Sequence, residues 1–155
     1  SKVVITCDEA KRGGKTINTK KIVDEGLNGV ESVSKILVFK RTGNPEVNMT
    51  PGRDYYWNEV CATQRSYIPC VPTNAEDPLF LLYTSGSTGQ PKGVVHTVGG
   101  YLLNAALSTR FVFDLHPEDV FFTAGDVGWI TGHTYALYGP LSLGTPSVIL
   151  DSSDR

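Results

Sequence analysis

An apolar run, Leu79-Phe80-Leu81-Leu82-Tyr83, opens directly onto Thr84-Ser85-Gly86-Ser87-Thr88-Gly89-Gln90-Pro91-Lys92-Gly93, and Val94-Val95 follow at once. These ten positions hold three glycines, four hydroxyl side chains, one lysine and no acid. Glycine has no Cβ, so backbone N–H groups can turn inward around an anion. Serine and threonine add rotatable donors, and lysine adds a mobile positive charge. Polyphosphate is the ligand this composition suits. The stretch is not a Walker A loop: counted from Gly86, the second glycine of that motif is replaced by Pro91. Nor is it filler between domains, because apolar segments flank it on both sides and Pro91-Lys92-Gly93 is stiff.

The rest of the chain alternates strand and helix patterns. Residues 2–6, 35–39, 79–83, 119–123 and 146–150 read as short apolar strands. Helices are expected from Lys20 to Asn28, capped by Thr19 and stopped by Gly29, with Ile22, Val23 and Leu27 facing inward. Asp54 is expected to start a helix to Gln64 that buries Tyr55, Val60 and Cys61. Leu102, Leu103, Ala105, Ala106 and Leu107 indicate a buried helix, and another is expected over 134–141. Arg41 to Gly52 and Tyr67 to Pro78 read as connections. Asp8 to Arg12 reads as a charged surface turn. Continuous apolar strands between helices predict an α/β fold with a parallel sheet covered on both faces. Ligands of such sheets collect beyond the carboxyl ends of the strands. The glycine-rich loop and the segment around Trp129 each follow a strand, so both are expected on one rim.

Composition narrows the partners. The chain has 155 residues, 40% of them hydrophobic, and a net charge of −2. That length gives one domain with a sizeable core. A near-neutral charge points away from nucleic acid and anionic membranes. No run approaches the roughly 18 apolar residues of a membrane-spanning helix. Ser1 to Ile5 has no signal-peptide layout and reads as a strand. Cys7, Cys61 and Cys70 lack metal-type spacing with His96, His116 and His133, so reduced thiols in a cytoplasmic protein are expected, without a zinc site.

The decamer Thr84 to Gly93 resembles the phosphate-binding signature of the acyl-adenylate-forming enzymes. A second segment, Asp126-Val127-Gly128-Trp129-Ile130-Thr131-Gly132-His133-Thr134-Tyr135 with Tyr138-Gly139-Pro140-Leu141, resembles one that acetyl-CoA synthetases carry after that loop. Val4 to Glu9, Lys40 to Gly43, Gly52 to Asp54 and Asn74 to Leu79 agree, so the likeness covers nearly the whole chain.

The resemblance implies a layered α/β fold: a partial parallel-sheet subdomain of that family's N-terminal domain. It implies an incomplete AMP-binding (adenylation) domain over 1–155, with no second domain. The groups for adenine, ribose and the catalytic lysine are then expected outside the chain. Thr84, Ser85, Gly86, Ser87, Thr88, Gly89, Lys92 and Gly93 would hold the ATP phosphates, with Mg²⁺ in the substrate complex. Trp129, Ile130 and Thr131 would line the acetate pocket and the CoA channel. Trp129 taken by composition alone reads as core. His133 reads as a structural imidazole, and a carboxylate nucleophile needs no base. Asp126 reads as a loop support. The implied activity is ATP-dependent conversion of acetate and CoA to acetyl-CoA in the cytoplasm, with a nuclear or organellar pool left open. A propionyl-CoA synthetase, a phosphate-binding module without chemistry and a flavodoxin-like regulator remain as alternatives.

Overall fold

The computed structural model describes residues 1–86 and 89–150, in two compact units that divide at Pro69 and Cys70. In the first unit, β1 (Val3–Cys7), β4 (Lys35–Phe39) and β5 (Asp54–Tyr56) form a parallel sheet in the order β1-β4-β5. A hairpin of β2 (Ala10–Arg12) and β3 (Lys15–Ile17) turns at Gly13-Gly14. Two helices complete the unit, α1 (Thr19–Gly26) and α2 (Trp57–Ala62).

The register puts Val4, Ile36 and Asp54 side by side, with Thr6, Val38 and Tyr56 beside them on the same face. Ile36 and Val38 are fully buried there. The opposite face is open at Val3, Ile5, Phe39 and Tyr55. The expectation of cover on both faces therefore needs correction. An apolar run records what both faces are made of, not whether anything lies against them.

The strongest departure from pattern reading lies under α1. Lys20 is 1% exposed, whereas Ile22, expected inside, is 57% exposed. The Lys20 ammonium bridges Asp24 and Asp54 at 2.8 Å each. Arg53 donates to the same two carboxylates, at 2.6 Å to Asp24 and 2.6 Å to Asp54. Two cations thus match two anions, and burial is tolerable because each charge is paired. Thr19 does not cap α1; its hydroxyl donates to the Cys7 carbonyl at 2.7 Å, and Asn18 caps by accepting the Lys21 N–H. Residues 54–56 are strand rather than helix, because Asp54 is fixed in this cluster and the two tyrosines suit the free edge of β4. Tyr55 and Cys61, expected to be buried, are exposed.

Asp8 is not a surface charge either. It is 1% exposed, and its carboxylate accepts from the N–H groups of Glu9, Arg41, Thr42 and Gly43 at 2.7–3.2 Å. Burial opposes its ionisation, but these backbone donors outweigh that and hold its pKa at about 2. Burial opposes Asp54 likewise; Arg53, Lys20 and the Thr50 N–H hold it at about 2.

The second unit contains the antiparallel hairpin β6 (Pro78–Thr84) and β7 (Lys92–Thr97), then α3 (Val98–Phe111), then the short parallel pair β8 (Phe121–Phe122) and β9 (Ser147–Val148). Between β8 and β9 a helical segment runs from Ile130 to Ser142. It comprises α4 (Ile130–Gly132), a π-helical turn (His133–Tyr138) and α5 (Gly139–Ser142), so it begins four residues before the expected helix. Only Tyr101, Ala105 and Thr109 of α3 are buried, one stripe at a spacing of four; Leu103 and Leu107 face outward. The architecture is α/β with parallel strands. The antiparallel β6–β7 pair was not anticipated. No helix among the described residues is long and apolar enough to cross a membrane.

Two outcomes follow from the buried charges. Both carboxylates titrate lower in the fold (about 2) than their ordinary 3.8, so their stabilisation is complete above that value and is lost as pH falls toward 2. Asp8→Asn is expected to lower the urea-unfolding free energy by about 2 kcal/mol at neutral pH, with the difference from wild type shrinking below about pH 4. Lys20→Ala removes one of the two cations paired with Asp54 and is expected to cost about 3 kcal/mol in the same measurement.

Candidate functional site

The glycine-rich decamer falls at the turn of the β6–β7 hairpin, with Thr84 ending β6 and Lys92 and Gly93 opening β7. The ladder runs from Phe80 opposite His96 to Thr84 opposite Lys92, so residues 85–91 make the connection. Gly86 has φ 60 and Gly89 has φ 80, the left-handed region that a side chain disfavours. A Cβ on Gly86 would stand 2.6 Å from the Gln90 carbonyl oxygen and 3.4 Å from the Lys92 Cγ. The stem of Lys92 therefore passes beside Gly86. Its ammonium has no ion-pair partner among the described residues, so its charge is available to an anion. Thr84, Ser85 and Gly93 are exposed beside it. Ser87 and Thr88 lie outside the described residues.

The second motif is built on a turn. The Asp126 carboxylate accepts the Gly128 N–H at 2.8 Å, and its carbonyl accepts the Trp129 N–H at 2.9 Å. Trp129 stands at the N-cap position of α4 with its side chain 65% exposed, so it is not core. A Cβ on Gly132 would collide with the backbone of Asp126 and Val127, which is how the turn closes tightly on the helix. His133 is exposed, and its backbone N–H donates to the Trp129 carbonyl at 3.3 Å.

A cleft of about 560 Å³ lies between these elements. One wall is the end of β7 (Val95, His96, Thr97) with Gly100, Tyr101 and Asn104 of α3. The other is Ile130, Thr131, Thr134 and Tyr135. Of the three residues expected at an acyl pocket, Ile130 and Thr131 line it; Trp129 does not. The phosphate-loop residues do not line it either. β7 links the two: Lys92 begins the strand and Val95 opens the cleft, a separation of about 10 Å at strand rise. The shared-rim expectation is thus corrected. The two motifs follow strands of different sheets, β6–β7 and β8–β9, so the cleft joins β7 and α3 to Ile130 and Thr131, with no common strand rim.

An aromatic stack backs the cleft. Tyr101 meets Phe80 edge-on at 4.8 Å, His96 at 5.5 Å and Tyr138 at 5.3 Å. Sequence reasoning passed over Tyr101, His96 and Thr134. The spacing of Tyr101, Ala105 and Thr109 was the available signal for which side of α3 turns inward. No group of three metal-ligating side chains is present among the described residues.

Comparison with known proteins fits this arrangement. A family model described as AMP-binding enzyme matches residues 1–155. The chain belongs to the AMP-binding enzyme family. Acetyl-coenzyme A synthetase 2 of Saccharomyces cerevisiae is 76% identical over 153 residues, which cover 99% of this chain and 22% of that protein. Acetyl-coenzyme A synthetase 2 of Kluyveromyces lactis is 74% identical over 152 residues, 98% of this chain and 22% of that protein. Acetyl-coenzyme A synthetase 1 of Debaryomyces hansenii is 59% identical over 153 residues, 99% of this chain and 23% of that protein. The chain spans under a quarter of the length of these AMP-binding relatives.

Gly132→Ala tests the packing of the second motif. Forced apart at Asp126, the turn and helix should lose about 1–3 kcal/mol in thermal unfolding, with a shift in Trp129 emission. Wild-type stability and emission would mean that turn and helix do not touch.

Proposed function

We propose that these residues form the phosphate-binding hairpin and part of the acyl pocket of an AMP-forming acetate–CoA ligase, as an incomplete AMP-binding domain. The observation that carries the reading is β7, which bears at its start a lysine without an ion-pair partner among the described residues and at its end one wall of a small-molecule cleft. Relatives named acetyl-coenzyme A synthetase at 59–76% identity support acetate as the acid.

In the first half-reaction an acetate oxygen attacks the α-phosphorus of ATP, and pyrophosphate leaves to give acetyl-AMP. In the second, the CoA thiolate attacks the acetyl carbonyl and AMP leaves. The first step brings an anion to a polyanion, so positioning and neutralisation are what the protein must supply. Lys92 and the hydroxyls of Thr84 and Ser85, with Ser87 and Thr88 of the same motif, suit the β- and γ-phosphates. Gly86, Gly89 and Gly93 allow close approach of the backbone. Ile130 and Thr131 suit the acetyl group and the CoA thiol end. Mg²⁺ accompanying ATP would neutralise charge the lysine leaves unmatched. Three free cysteines fit a reducing cytoplasm.

Acetate-dependent exchange of pyrophosphate into ATP by the complete ligase is the test. Gly86→Ala is expected to reduce exchange about a hundredfold, the order of magnitude for losing preorganised donors, with the fold intact by circular dichroism. Exchange at wild-type rate in that variant would remove the loop from the mechanism. The 155 residues alone are expected to give none.

A further inference from the structure

Two hydroxyl-bearing residues of the cleft walls, Tyr101 and Thr134, are joined in a relay. Tyr101 and Thr134, at 7% and 6% exposure, stand with their oxygens 2.7 Å apart. Thr134 Oγ1 lies 2.8 Å from the Ile130 carbonyl oxygen, to which it donates. A carbonyl can only accept and a threonine hydroxyl has one proton, so that proton is committed to Ile130. Tyr101 must then be the donor to Thr134. The direction of the chain is fixed: Tyr101 to Thr134 to Ile130.

Both ends of this relay are anchored. The Tyr101 ring is held edge-on by Phe80, His96 and Tyr138, and burial pushes its hydroxyl pKa up, which keeps the donor proton in place. At the other end, the Ile130 carbonyl belongs to the first turn of α4, followed directly by the π-helical turn His133–Tyr138. A threonine bonding back to the carbonyl four residues earlier bends a helix, and a π turn marks a departure from regular helical hydrogen bonding. The segment that carries Ile130 and Thr131 into the cleft is therefore not set by its own helix alone.

We propose that Tyr101 and Thr134 are positioning residues for acyl-chain selectivity, holding the Ile130–Thr131 wall at the depth that separates a two-carbon from a three-carbon acid. Both protons are used within the relay, so neither hydroxyl has a donor left for the acid itself. They act through the backbone of Ile130. The inference rests on the acetate–CoA ligase reading, and its test separates the two.

In the complete ligase, kcat/KM for acetate and propionate is measured for wild type, Tyr101→Phe, Thr134→Val, the double variant and Thr134→Ser. Phenylalanine keeps the ring packing and removes only the donor, and serine keeps the relay hydroxyl. Tyr101→Phe and Thr134→Val should each narrow the acetate preference about threefold to tenfold, the range equivalent to one net hydrogen bond, mainly through KM for acetate. The double variant should be no worse than the poorer single variant, because both break one relay. Thr134→Ser should stay within about twofold of wild type. Amide hydrogen exchange over residues 128–136 should rise in Tyr101→Phe and not in Thr134→Ser.

Unchanged selectivity in both single variants, or additive losses in the double, would overturn the proposal. Absence of acetate activation in the wild-type ligase would instead overturn the functional reading. Exchange over residues 128–136 would then decide the relay by itself, and equal protection in wild type and Tyr101→Phe would overturn it.

Discussion

The antiparallel ladder between β6 and β7 governs the second unit. Pairing of Thr84 with Lys92 returns the lysine beside Gly86. The same strand then runs on to His96 and Thr97 and passes into α3 without a break. Lys92 and one wall of the cleft thereby stand at the two ends of one strand. Precision at a binding site follows when its groups are carried on strands and helices and not on free loops.

In the first unit the corresponding constraint is electrostatic. Lys20, Arg53, Asp24 and Asp54 are tied into one cluster, and Asp54 is drawn into it from an edge strand. An arrangement of this kind contributes little net stability over an apolar substitute, yet it penalises any packing that separates the partners. It explains why α1 presents a lysine to the interior and an isoleucine to solvent. The backbone nest around Asp8 acts in the same way, fixing the loop after β4 to the end of β1 through the N–H groups of Arg41, Thr42 and Gly43.

Much of the candidate site could be read from sequence where the signal was chemical. The hydroxyl, glycine and lysine content of Thr84–Gly93 marked that stretch as a candidate, and Ile130 and Thr131, singled out through a motif resemblance, line the cleft. Elements were less legible where neighbours decided the outcome. Residues 54–56 became a strand because β4 offered an edge, and the helix expected at 134 began at 130 because the Asp126 turn delivers the chain there. Tyr101 and Thr134 are 33 residues apart, and no local pattern says that their hydroxyls meet.

The order of residues alone carried the α/β character and the motif resemblance to the AMP-binding enzyme family to which the chain belongs, because periodicity and motif spacing are local properties. Tertiary structure alone decided that the loop closes a hairpin, that Lys20 is interior and Trp129 exterior, and that a tyrosine on one helix braces the first turn of another. Those outcomes depend on which buried donors find acceptors, and partners distant in the chain become available only when the backbone has folded to bring them together.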